Sequence, residues 1–323
     1  MLPLVLITET LDETCAAWLA ERATVERVRF DDPSFGGRLA DAHALVVRTY
    51  TQVNADLLDR APNLKVVGRA GVGLDNFDLD ACRARNVRVV HTPDANTQAV
   101  VEYVLGLALD RYRPRTPLPP EASPDIFHEM RKTEVGRQLA DLSLGIVGMG
   151  RIGTRLAAAA HALGMNLYAT DVESEATLRK RMSHQLPGAG VPFEFVNHDA
   201  LYAQSDIVTL HADGRPANRH LINAAALQHL KPDALFINAA RGMLVDETAL
   251  HAWLSNHPQA HAVLDVHDPE PPAPDAPLHA LPNATLLPHL ASRTDTALFN
   301  MSWVVKDVAA VLEGNEPHFP AWS

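Results

Sequence analysis

Cysteine is scarce: Cys15 and Cys82 are the only two in 323 residues, too few for a disulfide framework. Both sit in apolar stretches, so buried and inert thiols in a reducing compartment are expected. Positive charge is also short, with 28 Lys and Arg against 39 Asp and Glu and a formal net charge of −11. A phosphate-backbone partner is therefore not expected, because a nucleic-acid reader needs a basic stripe. The one basic run, Arg179-Lys180-Arg181, is short and is expected on an exposed helix. Long apolar runs are missing too; the stretch 100–109 is about half of what a bilayer requires. The first residues, Met-Leu-Pro-Leu-Val-Leu-Ile, carry no basic flank and no small-residue cleavage site, and read as a strand. A cytoplasmic protein with no membrane partner is expected.

The chain does have ample core material. It is 47% hydrophobic and 21% charged, which is globular, and its length favours two domains over one. Apolar runs that read as strands lie near 4–8, 25–29, 44–48, 64–68 and 87–91, then near 145–148, 167–171, 193–196, 206–211, 234–238, 262–266 and 285–287. Helical patterns separate them almost throughout. That alternation predicts an α/β protein with two doubly wound parallel sheets, each covered on both faces. Between the two sets runs a helix at about 97–112, whose Ala99–Leu109 portion is apolar on most sides. Such a helix is either an interdomain or subunit contact, or an ordinary core helix. The proline-rich segment 113–124 can be neither helix nor central strand and marks a loop.

The most specific pattern lies at 144–171. Gly148, Gly150 and Gly153 have the Gly-x-Gly-x-x-Gly spacing, after the apolar run 144–147 and before a helical stretch with Ile152, Leu156, Ala159 and Leu163 on one face. A second strand follows and ends at Asp171. In this order Gly148 allows a tight turn, Gly150 lets the backbone approach a pyrophosphate, and Gly153 lets helix and strand pack closely. The helix start offers free N–H groups to phosphates. Asp171 lies about 20 residues on, where a carboxylate takes a ribose 2′-hydroxyl and repels a 2′-phosphate. The residues after it are Val172-Glu173, with no cation, so the expected cofactor is NAD.

Three later segments bring chemistry to predicted strand ends, where open α/β sheets place ligands. The first ends in Arg241-Gly242, the second holds Asp265 and Glu270, and the third holds His289. An arginine at such a place can grip a carboxylate through two parallel hydrogen bonds. A histidine exchanges protons near neutral pH, and a nearby carboxylate orients it. With a nicotinamide, these groups suffice to interconvert a hydroxyl and a carbonyl beside a carboxylate. Gly71-Val72-Gly73 follows a strand, and its N–H groups form either a small anion-binding nest or a plain turn.

From Val46-Val47-Arg48-Thr49 to about Glu313 the sequence resembles the D-isomer-specific 2-hydroxyacid dehydrogenases, which include 3-phosphoglycerate dehydrogenase and hydroxypyruvate/glyoxylate reductases. The resemblance rests on Gly68-Arg69-Ala70-Gly71-Val72-Gly73-Leu74-Asp75-Asn76, the glycine loop, Asn238-Ala239-Ala240-Arg241-Gly242, Leu264-Asp265-Val266 and Pro288-His289. It implies a Rossmann NAD-binding domain at 99–289 and a flavodoxin-like substrate domain built from 1–98 and 290–323. A single final helix, about 293–312, would cross back to the first domain, and the active site would lie in an interdomain cleft closed by a hinge. By the same resemblance Arg241 clamps the substrate carboxylate, His289 is the general acid/base, and Glu270 is its partner. Gly148, Gly150, Arg151, Ile152, Gly153, Asp171, Ala240 and Asp265 would hold NAD, with Asp265 meeting the nicotinamide carboxamide. Arg48, Val72, Gly73, Asn96 and Arg241 would bind a small 2-keto or 2-hydroxy acid, and the chain would form a homodimer.

The sequence departs from the family in places. Asp213-Gly214 stand where the family usually has Pro-Leu, and no Trp is present near Met130. The chain ends at Ser323, so no regulatory amino-acid-binding extension is expected. The expected activity is reduction of a 2-keto acid to a D-2-hydroxy acid, or the reverse. The alternative from another class is an NAD(H)-sensing corepressor-like binding protein on the same fold.

Overall fold

The computed structural model describes residues 2–186, 188 and 190–322. Each apolar run that reads as a strand is one, and every strand pairing is parallel. The chain divides into two units, Met1–Asn96 with Ser292–Ser323, and Thr97–Ala291.

The smaller unit holds β1 (Leu4–Ile7), β2 (Thr24–Arg27), β3 (Ala44–Val47), β4 (Val66–Arg69) and β5 (Arg88–His91) in the order β2-β1-β3-β4-β5. That is the flavodoxin-like order, which reverses between β1 and β3. Strands β1 and β3 are buried along their whole length, as the continuous apolar runs of a doubly covered parallel sheet require. Gly68 in β4 is explained by packing: a Cβ there would sit 2.5 Å from Val308 Cγ2 on the C-terminal helix Val305–Leu312. Cys15 and Cys82 are fully buried and unpaired, and burial pushes both thiols up to about 11.

The single closing helix expected at about 293–312 is instead two, Asp295–Ser302 and Val305–Leu312. At the break the Trp303 N–H bonds to Asn300 O and the Val304 N–H to Met301 O. These three-residue steps tighten the turn and redirect the axis. Trp303 there meets Trp18 edge to face at 5.9 Å.

The larger unit holds β6 (Ser143–Val147), β7 (Asn166–Thr170), β8 (Glu194–Phe195), β9 (Ile207–Leu210), β10 (Leu235–Asn238), β11 (His261–Leu264) and β12 (Ala284–Leu286). Their order, β12-β11-β10-β9-β6-β7-β8, is that of a Rossmann sheet with one added strand, and it reverses between β6 and β9. Helix Thr97–Tyr112 packs on helix Arg151–Ala162 within this unit. Its Val100, Val101, Val104 and Ala108 join Leu156, Ala157 and Ala160 in one apolar cluster, so that face is an ordinary core face. No helix among the described residues is long and apolar enough to cross a membrane.

Candidate active site

The three glycines of the loop after β6 have different reasons to be there. Gly148 has φ of +96°, and a Cβ would stand 2.8 Å from the His211 carbonyl at the end of β9. Gly153 would place a Cβ 2.1 Å from Gly148 O. Both are demanded by the fold itself. Gly150 is not: a Cβ there would meet nothing within 4 Å. The space a side chain would fill lies at the start of helix Arg151–Ala162, where no side chain caps the first amides. An unfilled cradle beside orphan N–H groups and a positive dipole end fits a pyrophosphate.

Asp171, at the end of β7, uses both oxygens to shape this loop. Oδ2 accepts from Met149 N at 2.6 Å and Oδ1 from Glu173 N at 2.9 Å. The Met149 carbonyl accepts from Thr154 Oγ1 at 3.0 Å and from Arg181 Nη2 at 2.6 Å. Arg181 also pairs with Glu173. The expectation of an exposed basic run therefore fails for Arg181, which turns back to the glycine loop, while Arg179 pairs with Glu175 on the same helix. A helix of the right phase after β7 is enough to bring Arg181 back, and nothing in the run's composition signals it.

The side wall that follows β9 is also fixed. His211 donates its backbone N–H to Val147 O at 2.7 Å, and the burial of its ring pushes the imidazole down to about 4. The unusual Asp213 is held by Arg215 Nε at 2.7 Å and Asn218 Nδ2 at 3.0 Å. Arg215 and Arg241 both hold its carboxyl below the ordinary range against the effect of partial burial.

Arg241 stands just past β10, on a turn built by Asn238. The fully buried Asn238 side chain accepts from Ala240 N at 3.1 Å and donates to Arg241 O at 2.8 Å. Arg241 Nη1 donates to Ala240 O at 2.6 Å. The next residue, Gly242, lies against the backbone after β11: a Cβ would fall 2.0 Å from the His267 carbonyl carbon. Strand pairing between β10 and β11 thus couples the arginine turn to the segment that carries Glu270.

His289 Nδ1 lies 2.6 Å from Glu270 Oε1. Among the described residues its Nε2 makes no hydrogen bond, and the side chain is 39% exposed. Burial alone would raise the Glu270 carboxyl, but the hydrogen bond and charge of His289 outweigh it and hold the group below its ordinary value. The other Glu270 oxygen accepts from His267 N at 3.4 Å. His267 donates Nε2–H to Leu287 O at 2.8 Å, which fixes the approach to Pro288-His289. His289 adopts φ of +56°, a conformation uncommon outside glycine.

Asp265 explains how that turn is held. It is fully buried and accepts from Leu290 N and Ala291 N, each at 2.8 Å, and from Tyr103 Oη at 3.0 Å. Tyr103, on helix Thr97–Tyr112, was invisible as a site residue in the sequence, since it lies 162 residues from its partner. Burial and then the Asp265 charge push its hydroxyl well above the ordinary range.

In the smaller unit the carbonyls of residues 70–73 all face protein donors. Gly73 O takes Arg69 Nε at 3.1 Å, Ala70 O takes Arg69 Nη1 at 2.8 Å, Val72 O takes His91 Nδ1–H at 3.0 Å, and Gly71 O takes Thr92 N. Among the described residues the amides of Val72 and Gly73 have no acceptor, as a nest needs. Among the described residues Asn96 Oδ1, which is buried, has no hydrogen-bond partner. Arg48 follows β3, on a loop whose four successive amides bond to Glu9.

Residues 119–291 match the family model described as D-isomer specific 2-hydroxyacid dehydrogenase, NAD binding domain. The (S)-sulfolactate dehydrogenase of Chromohalobacter salexigens is 35% identical over 314 residues, which cover 94% of this chain and 96% of that one. The chain belongs to this family. Its larger unit carries the NAD-binding domain. The D-3-phosphoglycerate dehydrogenase of Archaeoglobus fulgidus is 35% identical over 274 residues, 84% of this chain but 50% of that protein. The chain thus spans about half the length of the phosphoglycerate dehydrogenases it matches. An NADPH-dependent glyoxylate/hydroxypyruvate reductase from Sinorhizobium meliloti, solved with NADP and malonate, is 27% identical with a TM-score of 0.81, covering 100% of this chain and 97% of that one.

Proposed function

We propose that this chain is an NAD-dependent D-2-hydroxyacid dehydrogenase, or 2-keto acid reductase. The observation that carries the reading is the 2.6 Å contact between His289 Nδ1 and Glu270 Oε1, with Nε2 left for a substrate. Its relatives are named for phosphoglycerate, sulfolactate and glyoxylate or hydroxypyruvate, all small 2-hydroxy or 2-keto acids.

In this reading the larger unit takes the cofactor. Gly148, Gly150 and Gly153, with the amides of Arg151 and Ile152, hold the pyrophosphate, and Ala240 and Asp265 border the nicotinamide. Asp171 takes the ribose hydroxyls with the lone pairs left over from its two backbone bonds. A bound nicotinamide would supply the hydride to C2. Arg241 grips the substrate carboxylate through its planar fork and polarises the C2 oxygen. His289 gives its Nε2 proton to that oxygen as negative charge develops there. Glu270 holds the ring through Nδ1–H, so that the imidazole has one orientation and one free nitrogen. Within the smaller unit, Arg48, Val72, Gly73 and Asn96 are the residues we propose for substrate binding.

The reductase from Sinorhizobium meliloti is named for NADPH. The reading here remains NAD, because the Asp171 carboxylate would repel a 2′-phosphate and Val172, 83% exposed, offers it no charge. We also propose a homodimer. Helix Pro124–Thr133 buries no residue and leaves Ile126 and Phe127 each 43% exposed, an apolar surface that a second copy can cover. A light-scattering mass of one chain would overturn that part.

The deciding experiment follows NADH consumption with hydroxypyruvate, glyoxylate, pyruvate and phosphohydroxypyruvate. Turnover with at least one is expected. Tight NADH binding without turnover on any 2-keto acid would support a nucleotide sensor instead.

A further inference from the structure

Two loops carry the His289 and Glu270 side chains, one leaving β11 and one leaving β12. Among the described residues the last backbone bond between these strands runs from Leu287 N to Leu264 O at 2.8 Å. Beyond it, Asp265 holds the far side of the His289 turn through Leu290 N and Ala291 N. Among the described residues Asp265 makes no hydrogen bond to the Glu270 loop. That loop is tied in at His267. The His267 amide donates to Glu270 Oε2 at 3.4 Å, and its ring Nε2 lies 2.8 Å from Leu287 O. One residue thus joins both strand exits, three positions before Glu270 and, through Leu287, two before His289. Its own peptide is seated against Gly242, where a Cβ would fall 2.6 Å from Asp268 N.

The chemistry of the ring at this place is informative. His267 is 6% exposed, and its Nδ1 is buried with no hydrogen-bond partner among the described residues. A buried bare nitrogen is unfavourable, so packing alone does not account for an imidazole here. What an apolar ring of this size lacks is a donor aimed at Leu287 O. A carbonyl oxygen accepts only from a protonated nitrogen, so Nε2 carries the ring's proton. His267 therefore stands in one tautomer, with a single directed bond between the two loops.

We propose that His267 is a positioning residue of the reaction. Its Nε2–H bond to Leu287 O sets the spacing of the two loops, and with it the 2.6 Å contact through which Glu270 orients His289. The inference rests on the dehydrogenase reading above. In that scheme His267 touches neither substrate nor cofactor and acts only through Glu270 and His289.

The test compares wild type with His267→Phe, which keeps the bulk of the ring without the donor, and His267→Gln, whose side-chain amide donates from the place of Nε2. For 2-keto acid reduction His267→Phe is expected to lose about ten- to a hundredfold in kcat, the scale of a misplaced catalytic group, at nearly constant KM. His267→Gln should recover most of that loss. The pH profile supplies a second readout. The His289 bond holds the Glu270 carboxyl below its ordinary value, so loosening the contact lets it rise. The acid limb of kcat should therefore move to higher pH in His267→Phe and return in His267→Gln. Glu247, Asp268 and His279, the other ionisable groups around this turn, are the same in every variant. A kcat for His267→Phe within about twofold of wild type overturns the proposal, as does a loss that His267→Gln fails to recover. If His267→Phe does not fold, His267→Asn, too short to reach Leu287 O, takes its place with the same expectations. If wild type turns over no 2-keto acid, the dehydrogenase reading falls. The positioning role is then judged by the nitrogen-15 shift of His289 Nδ1, expected to change in His267→Phe and to return in His267→Gln; an unchanged shift would end it.

Discussion

The Tyr103 hydroxyl donates to the Asp265 carboxylate at 3.0 Å, and the same carboxylate holds the amides of Leu290 and Ala291. A helix of the core thereby fixes the turn on which His289 sits in a left-handed conformation. Tyr103→Phe removes one donor from a buried charge, which costs about 1.5–3 kcal/mol. A lower urea midpoint is expected, together with a several-fold loss in kcat at nearly constant KM. An unchanged kcat with a lowered midpoint would reduce Tyr103 to a purely structural role.

His289→Asn and Glu270→Gln test proton transfer directly. Positioned general acid–base catalysis is worth about 10²–10⁴-fold, so His289→Asn should lose that range in kcat while keeping its circular dichroism and NADH affinity. Glu270→Gln keeps a hydrogen bond to the ring and should lose less. Near-normal turnover in His289→Asn removes the residue from the mechanism.

Two glycines should respond to alanine in opposite ways. Gly242→Ala drives a Cβ into the peptide after His267, so the arginine turn and the acid/base segment are pushed apart. The expected cost is about 1–3 kcal/mol in stability with a large loss in kcat/KM. Gly150→Ala meets open space and should cost under about 1 kcal/mol. Its loss should appear instead in NADH affinity, measured by fluorescence titration. Equal NADH affinity in wild type and Gly150→Ala would show that the cradle is not used.

Asp171 serves the loop as well as the ribose, since it anchors Met149 N and Glu173 N. Asp171→Ala should therefore weaken NADH binding without creating NADPH binding, because the loop itself loosens. Recovery of tight NADPH binding by this single change would show that only the carboxylate's charge matters.

Acid should weaken the fold in two windows. The buried His211 titrates at about 4 in the folded chain against about 6.5 when unfolded, and His261 is lowered in the same direction by burial. The unfolded chain then binds protons first as pH falls from about 6.5 toward 4, so stability declines by up to about 3 kcal/mol for His211. Glu9, Asp206 and Glu270 are held below their ordinary values, and their contribution is lost only at more acid pH. Urea midpoints between pH 7 and 5 should fall, and should fall less in His211→Phe. A flat profile in the wild type would contradict the burial of a neutral His211.

The sequence by itself determined the layering and the nucleotide loop. Strands buried on both faces, such as Leu4–Ile7 and Ser143–Val147, must be continuous apolar runs, and the glycines at 148 and 153 are the only residues that tolerate their backbone approach. Arg241, Glu270 and His289 were legible as residue types at strand ends, because parallel strands of one sheet all finish on the same side. Only the tertiary structure decided how those residues are held. Arg181 reads as a surface cation yet reaches Met149 O, and the closing helix breaks at Trp303 for a turn that spacing does not announce. Glu9 binds amides some forty residues away, and Tyr103 meets Asp265 across 162. Local pattern reports what a residue can bury or donate. Which distant partner it meets depends on strand order and helix phase, and these are set by the packing of the whole unit.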